Sequence, residues 1–249
     1  MRALPHSRYE CKYLVDAALV PAIRRCLQPF MRPDPHAAAA GGIYTISSLY
    51  LDAPDLRLLR MGQEGWSERL KLRARTYSDH PSAPVYLEIK RRHSGVVHKQ
   101  RAPVSRTVAR ALLARQHSSA AGSHDPATAA FRAAVLSCDA RPVALVRYQR
   151  EAHEARGAGS VRVTFDTRIE CASEAGVEFG ATPERWRSAG LDGVVLELKF
   201  TDTYPPWVQA LLARFELERR SISKYTHAME SLSAPARGFA ARESRPCAT

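Results

Sequence analysis

Arg69-Leu70-Lys71-Leu72-Arg73-Ala74-Arg75 alternates strictly between cationic and apolar residues. In an extended strand, side chains two apart share a face. The four cations therefore line one side and Leu70, Leu72 and Ala74 the other. Four like charges on one face repel each other, so they need open water, carboxylate partners or an anion. The same pattern recurs elsewhere in the chain, which makes a bound polyanion the leading reading.

Working outward, the N-terminal strand Ser7 to Val15 places Arg8, Glu10 and Lys12 on one face and Tyr9, Cys11 and Tyr13 on the other. Asp16 is placed to cap a helix running to about Phe30, with Leu19, Ile23 and Leu27 at helical spacing. Pro33, Pro35 and the Ala37 to Gly42 run read as a loop, and Tyr44 to Asp52 as a strand. Gly62 to Trp66 reads as a turn into the cationic strand at 68–77. Val85 to Arg92 and Val96 to Val104 form a hairpin about His93-Ser94-Gly95. The stretch from Thr107 to Ser137 is helical and Ala-rich, interrupted by a loop around Gly122 to Pro126. Val143 to Ala152 and Val161 to Glu170 form a second hairpin, and Val194 to Phe200 is the last clear strand. A helix opens at Pro205-Pro206 and runs through Leu217, and another covers about Ser223 to Leu232. The hairpins imply mainly antiparallel pairing. The expected fold is α+β, an antiparallel β-barrel forming a tunnel, with its charged face inward and flanking helices outside. Residues 1–232 are expected to form one domain and 233–249 a disordered, Arg-rich tail.

At 249 residues, with 45% apolar composition, the chain can bury a full core without staples. The net charge of +12 predicts an anionic partner: nucleic acid, a phosphate-rich molecule or an anionic membrane surface. Five scattered cysteines with no Cys-x-x-Cys pair argue against a disulfide framework and a zinc site. No apolar run approaches the roughly 20 residues of a membrane span, and no secretory signal is evident, so a cytoplasmic protein is expected.

Two strands share a signature: Tyr86-Leu87-Glu88-Ile89-Lys90 and Val195-Leu196-Glu197-Leu198-Lys199 both read apolar-Glu-apolar-Lys, and Glu10-Cys11-Lys12 repeats the spacing. A carboxylate beside a lysine suits a hard divalent cation together with the phosphate it bridges. A solvated salt-bridge ladder explains one such pair. Three pairs beside the cationic strand favour a site. Lys99 and Arg101 share a face on the hairpin partner of the Glu88 strand. Arg147 and Arg150 point to opposite faces of theirs. Arg162, Thr164, Asp166 and Arg168 share a face on the next strand, and Ser221 to Tyr225 sits at a helix start suited to an anion. The chain has no His-Glu-x-x-His, no Gly-x-Ser-x-Gly elbow and no glycine-rich phosphate loop, so phosphate handling falls to side chains. Trp66, Trp186 and Trp207 are not interleaved with the basic residues as nucleic-acid stacking platforms would be.

An ordered series of blocks resembles a known family. The series runs Arg8-Tyr9-Glu10-Cys11-Lys12-Tyr13, Ser48-Leu49-Tyr50-Leu51-Asp52, Arg69 to Arg73, Leu87-Glu88-Ile89-Lys90 and Arg147-Tyr148-Gln149-Arg150. It continues with Arg162-Val163-Thr164-Phe165-Asp166-Thr167, Leu196-Glu197-Leu198-Lys199 and Ser221-Ile222-Ser223-Lys224-Tyr225. Together they resemble the VTC-type polyphosphate polymerase domain, a branch of the triphosphate tunnel metalloenzymes. The resemblance implies a basic lumen that holds polyphosphate and grows it from the terminal phosphoryl group of ATP, with Mn²⁺ or Mg²⁺ as cofactor. It implies Lys71, Arg73, Arg150, Arg162 and Lys224 as catalytic cations. Arg8, Lys12, Arg75, Lys90, Lys99, Arg101, Lys199 and Ser223 are implied as phosphate and ATP contacts, and Glu197, assisted by Glu88, as metal ligands. The wider superfamily often opens with Glu-x-Glu-x-Lys; here Arg8 replaces the first Glu, which fits the polymerase branch better than the triphosphatase branch. The eukaryotic polymerase also carries an inositol-phosphate sensor and membrane spans that do not fit in these residues. The implied partners are ATP and inorganic polyphosphate, with no nucleic acid expected, and whether a membrane-protein partner holds the enzyme at the inner membrane face stays open. A tunnel-type triphosphatase and a non-catalytic polyphosphate-binding module remain alternatives, and metal identity and oligomeric state stay open.

Overall fold

The cationic alternation lies inside one large sheet. The computed structural model describes residues 8–94, 96–115, 125–157, 161–173, 186–201 and 205–234. In chain order they form β1 (Arg8–Val15), a 3-10 turn (Ala17–Leu19), α1 (Val20–Leu27), β2 (Met31–Pro33), α2 (Pro35–Ala39), β3 (Ile43–Asp52) and α3 (Arg57–Gln63). Then come β4 (Arg69–Thr76), β5 (Val85–His93), β6 (Val96–Val104), α4 (Arg106–Leu113), α5 (Pro126–Ser137), β7 (Arg141–Ala155) and β8 (Arg162–Ser173). The chain closes with β9 (Arg187–Ser188), β10 (Val194–Thr201), α6 (Pro206–Arg214) and α7 (Lys224–Ser233). Residues 1–7 and 235–249, the latter all but the first two residues of the expected tail, lie outside the described residues, and Ser233 ends α7.

The strand order is β1-β10-β8-β7-β3-β4-β5-β6, with β2 added to β7 and β9 to β8. Every pairing is antiparallel. Alternation then sorts the side chains as expected. On the outer side, Leu72, Ala74, Leu87 and Ile89 pack under Ala109 and Leu112 of α4 and Phe131 and Val135 of α5. A second outer layer sets Ile23 and Leu27 of α1 and Val208 and Leu211 of α6 on Cys11, Tyr13, Val163, Leu196 and Leu198. Each such buried aliphatic side chain contributes about 1.5–3 kcal/mol of hydrophobic stabilisation. A third cluster lies on the concave side: Ile222, Tyr225 and Ala228 pack on Tyr50, Val146, Tyr148 and Val195, so α7 covers one end of the concave face.

The expected closed barrel is not formed. β1 and β6 end the strand order and share no ladder, so the sheet is a curled, open half-barrel. β6 is built as an edge: its Pro103 offers no N–H, and Val96 to Arg101 are exposed. On the concave side, Lys90 Nζ of β5 stands 3.8 Å from Glu10 Oε2 of β1.

Other departures have local causes. The first helix ends at Leu27, short of Phe30, because the chain turns into the unforeseen β2. Pro35 opens α2 inside the expected loop, where the Asp34 carboxylate caps Ala37 N–H at 2.7 Å. Helix α3 occupies residues before the expected turn, held by Asp52 rather than by a cap of its own. The alternation of β8 breaks at Arg168, which takes a left-handed φ of 49° beside a register shift opposite Arg147/Gln149. Arg168 is therefore exposed and leaves the face it was expected to share with Asp166. None of the four described cysteines is in a disulfide.

Candidate phosphate site on the concave face

The ladder register places the charged residues on one surface. Lys71 faces Lys90 and Arg73 faces Glu88 across β4 and β5; Glu88 faces Arg101, and Lys90 faces Lys99, across β5 and β6. On the other flank, Lys12 faces Glu197 and Glu10 faces Lys199, while Glu197 faces Thr164 and Lys199 faces Arg162. Arg150 faces Asp166. All the sequence-expected cations with described side chains thus come to the concave side, together with Ser223 and Lys224 at the start of α7. The side chain of Arg8 lies outside the described residues.

These groups form three sets. The deepest is a buried tetrad. Arg150 grips Asp166 with two hydrogen bonds of 2.6 and 2.7 Å, and its Nη2 reaches Glu197 Oε2 at 3.5 Å. Lys224 Nζ meets the same Asp166 at 2.6 Å. Asp166 has no exposed surface and Glu197 has 5%. Burial raises the Glu197 carboxyl, but Lys199, Lys12, Arg150 and Lys224 outweigh it and hold it well below the ordinary carboxylate range. Arg150 and Lys224 within the tetrad, with Lys199 reaching Glu197 at 2.9 Å, offset the two carboxylates, which is what makes their burial tolerable. Asp166 is the residue whose role the sequence did not reveal; it shares a face with Arg162, but only the fold shows that it anchors both Arg150 and Lys224.

The second set centres on Glu88, 1% exposed, which serves Arg73 at 2.5 Å, Lys99 at 3.2 Å and Arg101 at 3.6 Å. Burial raises its pKa, but Arg73, Arg75 and Lys99 draw it down to about 2. Here three cations share one carboxylate.

In the third set, Lys71 and Arg75 have hydroxyls for partners. Lys71 Nζ donates to Ser223 Oγ at 2.9 Å, and Arg75 Nε donates to Ser48 Oγ at 2.9 Å. Burial, together with Lys12, Lys90 and Arg73, brings Lys71 down to about 8. Tyr50, which sequence reasoning quoted but gave no role, stacks on Tyr225 at 4.7 Å; burial raises its pKa, and Arg73, Arg75 and Lys71 outweigh that and lower it to about 8. Lys12 Nζ is held by the Ile222 carbonyl at 2.8 Å and by Glu10 at 3.3 Å, and Lys199 by Glu197 at 2.9 Å. Arg162 sits apart from the tetrad, donating to Asp34 at 2.6 Å.

Beyond Arg75, away from the end covered by α7, the concave face carries rings. His36 stacks on Tyr77 at 5.5 Å, Tyr44 and Tyr86 flank Tyr77, and the Arg101 guanidinium lies 3.7 Å from the centre of Tyr86. These rings come from α2, β3, β5 and the residue after β4, so no local sequence signal links them.

Among the described residues, no group of three or more His, Cys, Asp or Glu can hold a metal ion. Glu197 and Glu88 belong to different sets, each with its own cations. A Mg²⁺-type ion is commonly held by one or two carboxylates plus substrate phosphates rather than by an all-protein cage. The ionised, buried Glu197 fits an ion that arrives with phosphate oxygens.

A half-barrel whose concave face carries cations from many strands, over buried carboxylates, defines a tunnel-type phosphotransfer scaffold. The VTC domain model matches residues 7–233, and the chain belongs to that family, within the triphosphate tunnel metalloenzyme superfamily. Membership carries phosphotransfer-type catalysis in general, in a superfamily whose members are generally metal-dependent. No functionally curated protein matches the sequence. Similar solved structures include a protein from Bacillus halodurans provisionally described as an adenylate cyclase, 16% identical, covering 86% of this chain and 92% of its own, with a TM-score of 0.48. A second, from Vibrio parahaemolyticus and described in the same terms, is 13% identical and covers 91% and 98%, with a TM-score of 0.45. A Pyrococcus horikoshii protein named only by its locus is 13% identical and covers 90% and 99%, with a TM-score of 0.46.

Proposed function

We propose that this protein is a polyphosphate polymerase, transferring the terminal phosphoryl group of ATP to a growing polyphosphate chain along the concave face. The observation that carries the reading is the imbalance of charge there: Lys71 and Arg75 hold hydroxyls, and Glu88 is divided among three cations. A phosphate chain supplies the missing negative charge along the length of the site. Phosphoryl transfer asks a protein mainly for positioning and charge neutralisation. Lys71, Arg73 and Arg75 on one flank, and Lys12, Lys199 and Arg150 on the other, hold donor and acceptor phosphates between them. Lys224 and the N-terminus of α7 close the covered end. The terminal phosphate oxygen of the acceptor is already ionised, so no side chain needs to remove a proton. Glu197, with Glu10 close to Lys199, would hold a Mn²⁺ or Mg²⁺ ion, which supplies Lewis-acid neutralisation of the phosphate oxygens. The rings of Tyr44, Tyr77 and Tyr86 offer an apolar surface for the nucleoside of ATP.

A triphosphatase is the second reading, and Glu10 favours it: a half-buried carboxylate among Lys12, Lys90 and Lys199 is placed to activate water. Incubation with γ-labelled ATP and Mn²⁺ separates the two. Label in a ladder of growing polymer supports the polymerase; label only in orthophosphate overturns it in favour of hydrolysis; no turnover leaves the binding-module reading.

A further inference from the structure

We propose that the tip of the β5–β6 hairpin is a membrane-surface anchor that inserts Val96 and Val97 among the headgroups of an anionic bilayer. The inference is independent of which phosphotransfer reaction the concave face performs.

The end of the hairpin is uncovered. Arg91 to Ser94 and Val96 to His98 are all exposed, so neither face of the ribbon is covered there. At its tip Val96 is 56% and Val97 49% exposed. Arg69 pairs with Arg92, and Glu68 contacts His93, which places Trp66, 53% exposed, at the same end of the sheet. Three of the large exposed apolar side chains thus gather at one extremity, where burial against a second phase removes them from water.

Charge decides what that phase is. From residue 91 to 98 the chain holds Arg91 and Arg92 and no Asp or Glu, while Lys90, Lys99 and Arg101 on either side turn to Glu10 and Glu88 of the concave face. Glu68, which contacts His93, and Glu64, which accepts from Trp66 Nε1 at 2.6 Å, are the carboxylates nearby, against Arg69, Arg91 and Arg92. Among the described residues neither Arg91 nor Arg92 has an ion-pair partner, and Arg92 lies directly across from Arg69. An apolar tip flanked by arginines without ion-pair partners matches the depth profile of an anionic bilayer: headgroup phosphates outside, hydrocarbon beneath, with tryptophan favoured at the boundary. Nucleic acid or free polyphosphate would answer the arginines but leave Val96 and Val97 in water.

The test is co-sedimentation of the full chain with vesicles of mixed phosphatidylglycerol and phosphatidylcholine, against phosphatidylcholine alone. Binding to the mixed vesicles only is expected. The V96D/V97D variant should lose it. R91A/R92A should weaken it on the order of 30-fold, from the loss of two basic side chains near the surface. Both variants should keep the wild-type affinity for tripolyphosphate, which shows an intact fold. Brominated lipid should quench tryptophan emission in the wild type and not in W66F. Vesicle binding that survives V96D/V97D and is displaced by polyphosphate would mean adsorption through the concave face, and would overturn the proposal. So would an absence of binding, or a dimer that V96D/V97D converts to monomer without any vesicle effect.

Discussion

Asp52 holds four donors at once: the N–H groups of Ala53, Leu58 and Leu59 at 2.7, 2.9 and 2.9 Å, and the Tyr225 hydroxyl at 2.6 Å. It has no exposed surface, so it stitches α3 and α7 to the end of β3. Asp52→Ala would strand buried donors that each cost about 1–3 kcal/mol, and a loss of at least about 3 kcal/mol in urea unfolding is expected. Gly193 is a smaller case of the same kind. Its φ is 132°, and a Cβ there would stand 2.7 Å from the Val15 carbonyl oxygen, so Gly193→Ala should cost about 1–3 kcal/mol in the same assay. Lys71 acts through protonation. With its pKa brought from 10.5 to about 8 in the folded chain, it is charged below about pH 8 and loses its charge above. Tyr50 titrates in the same range and becomes an anion above it. Both changes oppose phosphate binding, so tripolyphosphate affinity should be full below pH 8 and fall as pH rises through it. Between about pH 8 and 10.5 the unfolded chain binds the Lys71 proton more strongly than the folded one, so this group's contribution to the stability of the free protein rises with pH. Calorimetric titrations from pH 7 to 9.5, with K71R and Y50F alongside, check the sign; a flat profile for the wild type would contradict it. The alternation of charge made the place of Lys71 on the charged face legible in the sequence. The duty of Asp52 was not, because its partner Tyr225 stands far along the chain.

At the scale of elements, the strands were legible and the short pieces were not. β1, β3 to β8 and β10 lie close to the expected strands, and β1, β4, β5, β8 and β10 show why: apolar side chains of each are buried under helices while its charged ones face the concave side. β2 and β9 are three and two residues long, too short for any periodicity to mark. The register shifts at Tyr50/Leu51 and Arg147/Gln149 are set by pairing partners, not by local sequence. The concave rings were hidden for the same reason, being drawn from separate elements. They nevertheless support a prediction. Tyr86→Ala removes the ring beneath Arg101 and, if a nucleoside lies there, weakens ATP binding by a base-stacking increment of about 1–3 kcal/mol while leaving tripolyphosphate nearly unchanged. Paired titrations of the two ligands check this; equal losses for both would place the nucleoside elsewhere.

For the molecule as a whole, composition announced an anionic partner and the strand pattern announced an inward charged face, but closure of the sheet was not decided by either. An edge strand with Pro103, Lys99 and Arg101 leaves the β1–β6 seam open, and Lys90 of β5 reaches Glu10 of β1 only by a side-chain contact. The concave face is therefore a channel with one long side accessible and one end covered by α7. The central claim is that this face holds an extended phosphate chain. The most direct measurement is calorimetric binding of short-chain polyphosphate to the wild type and to K71M/R75M, at fixed salt, with duplex DNA as competitor. The account predicts saturable binding by the wild type, a loss on the order of 100-fold or more in the double variant from two charge-assisted contacts, and no displacement by DNA. Unchanged affinity in the variant, or displacement by DNA at matched phosphate concentration, would contradict it.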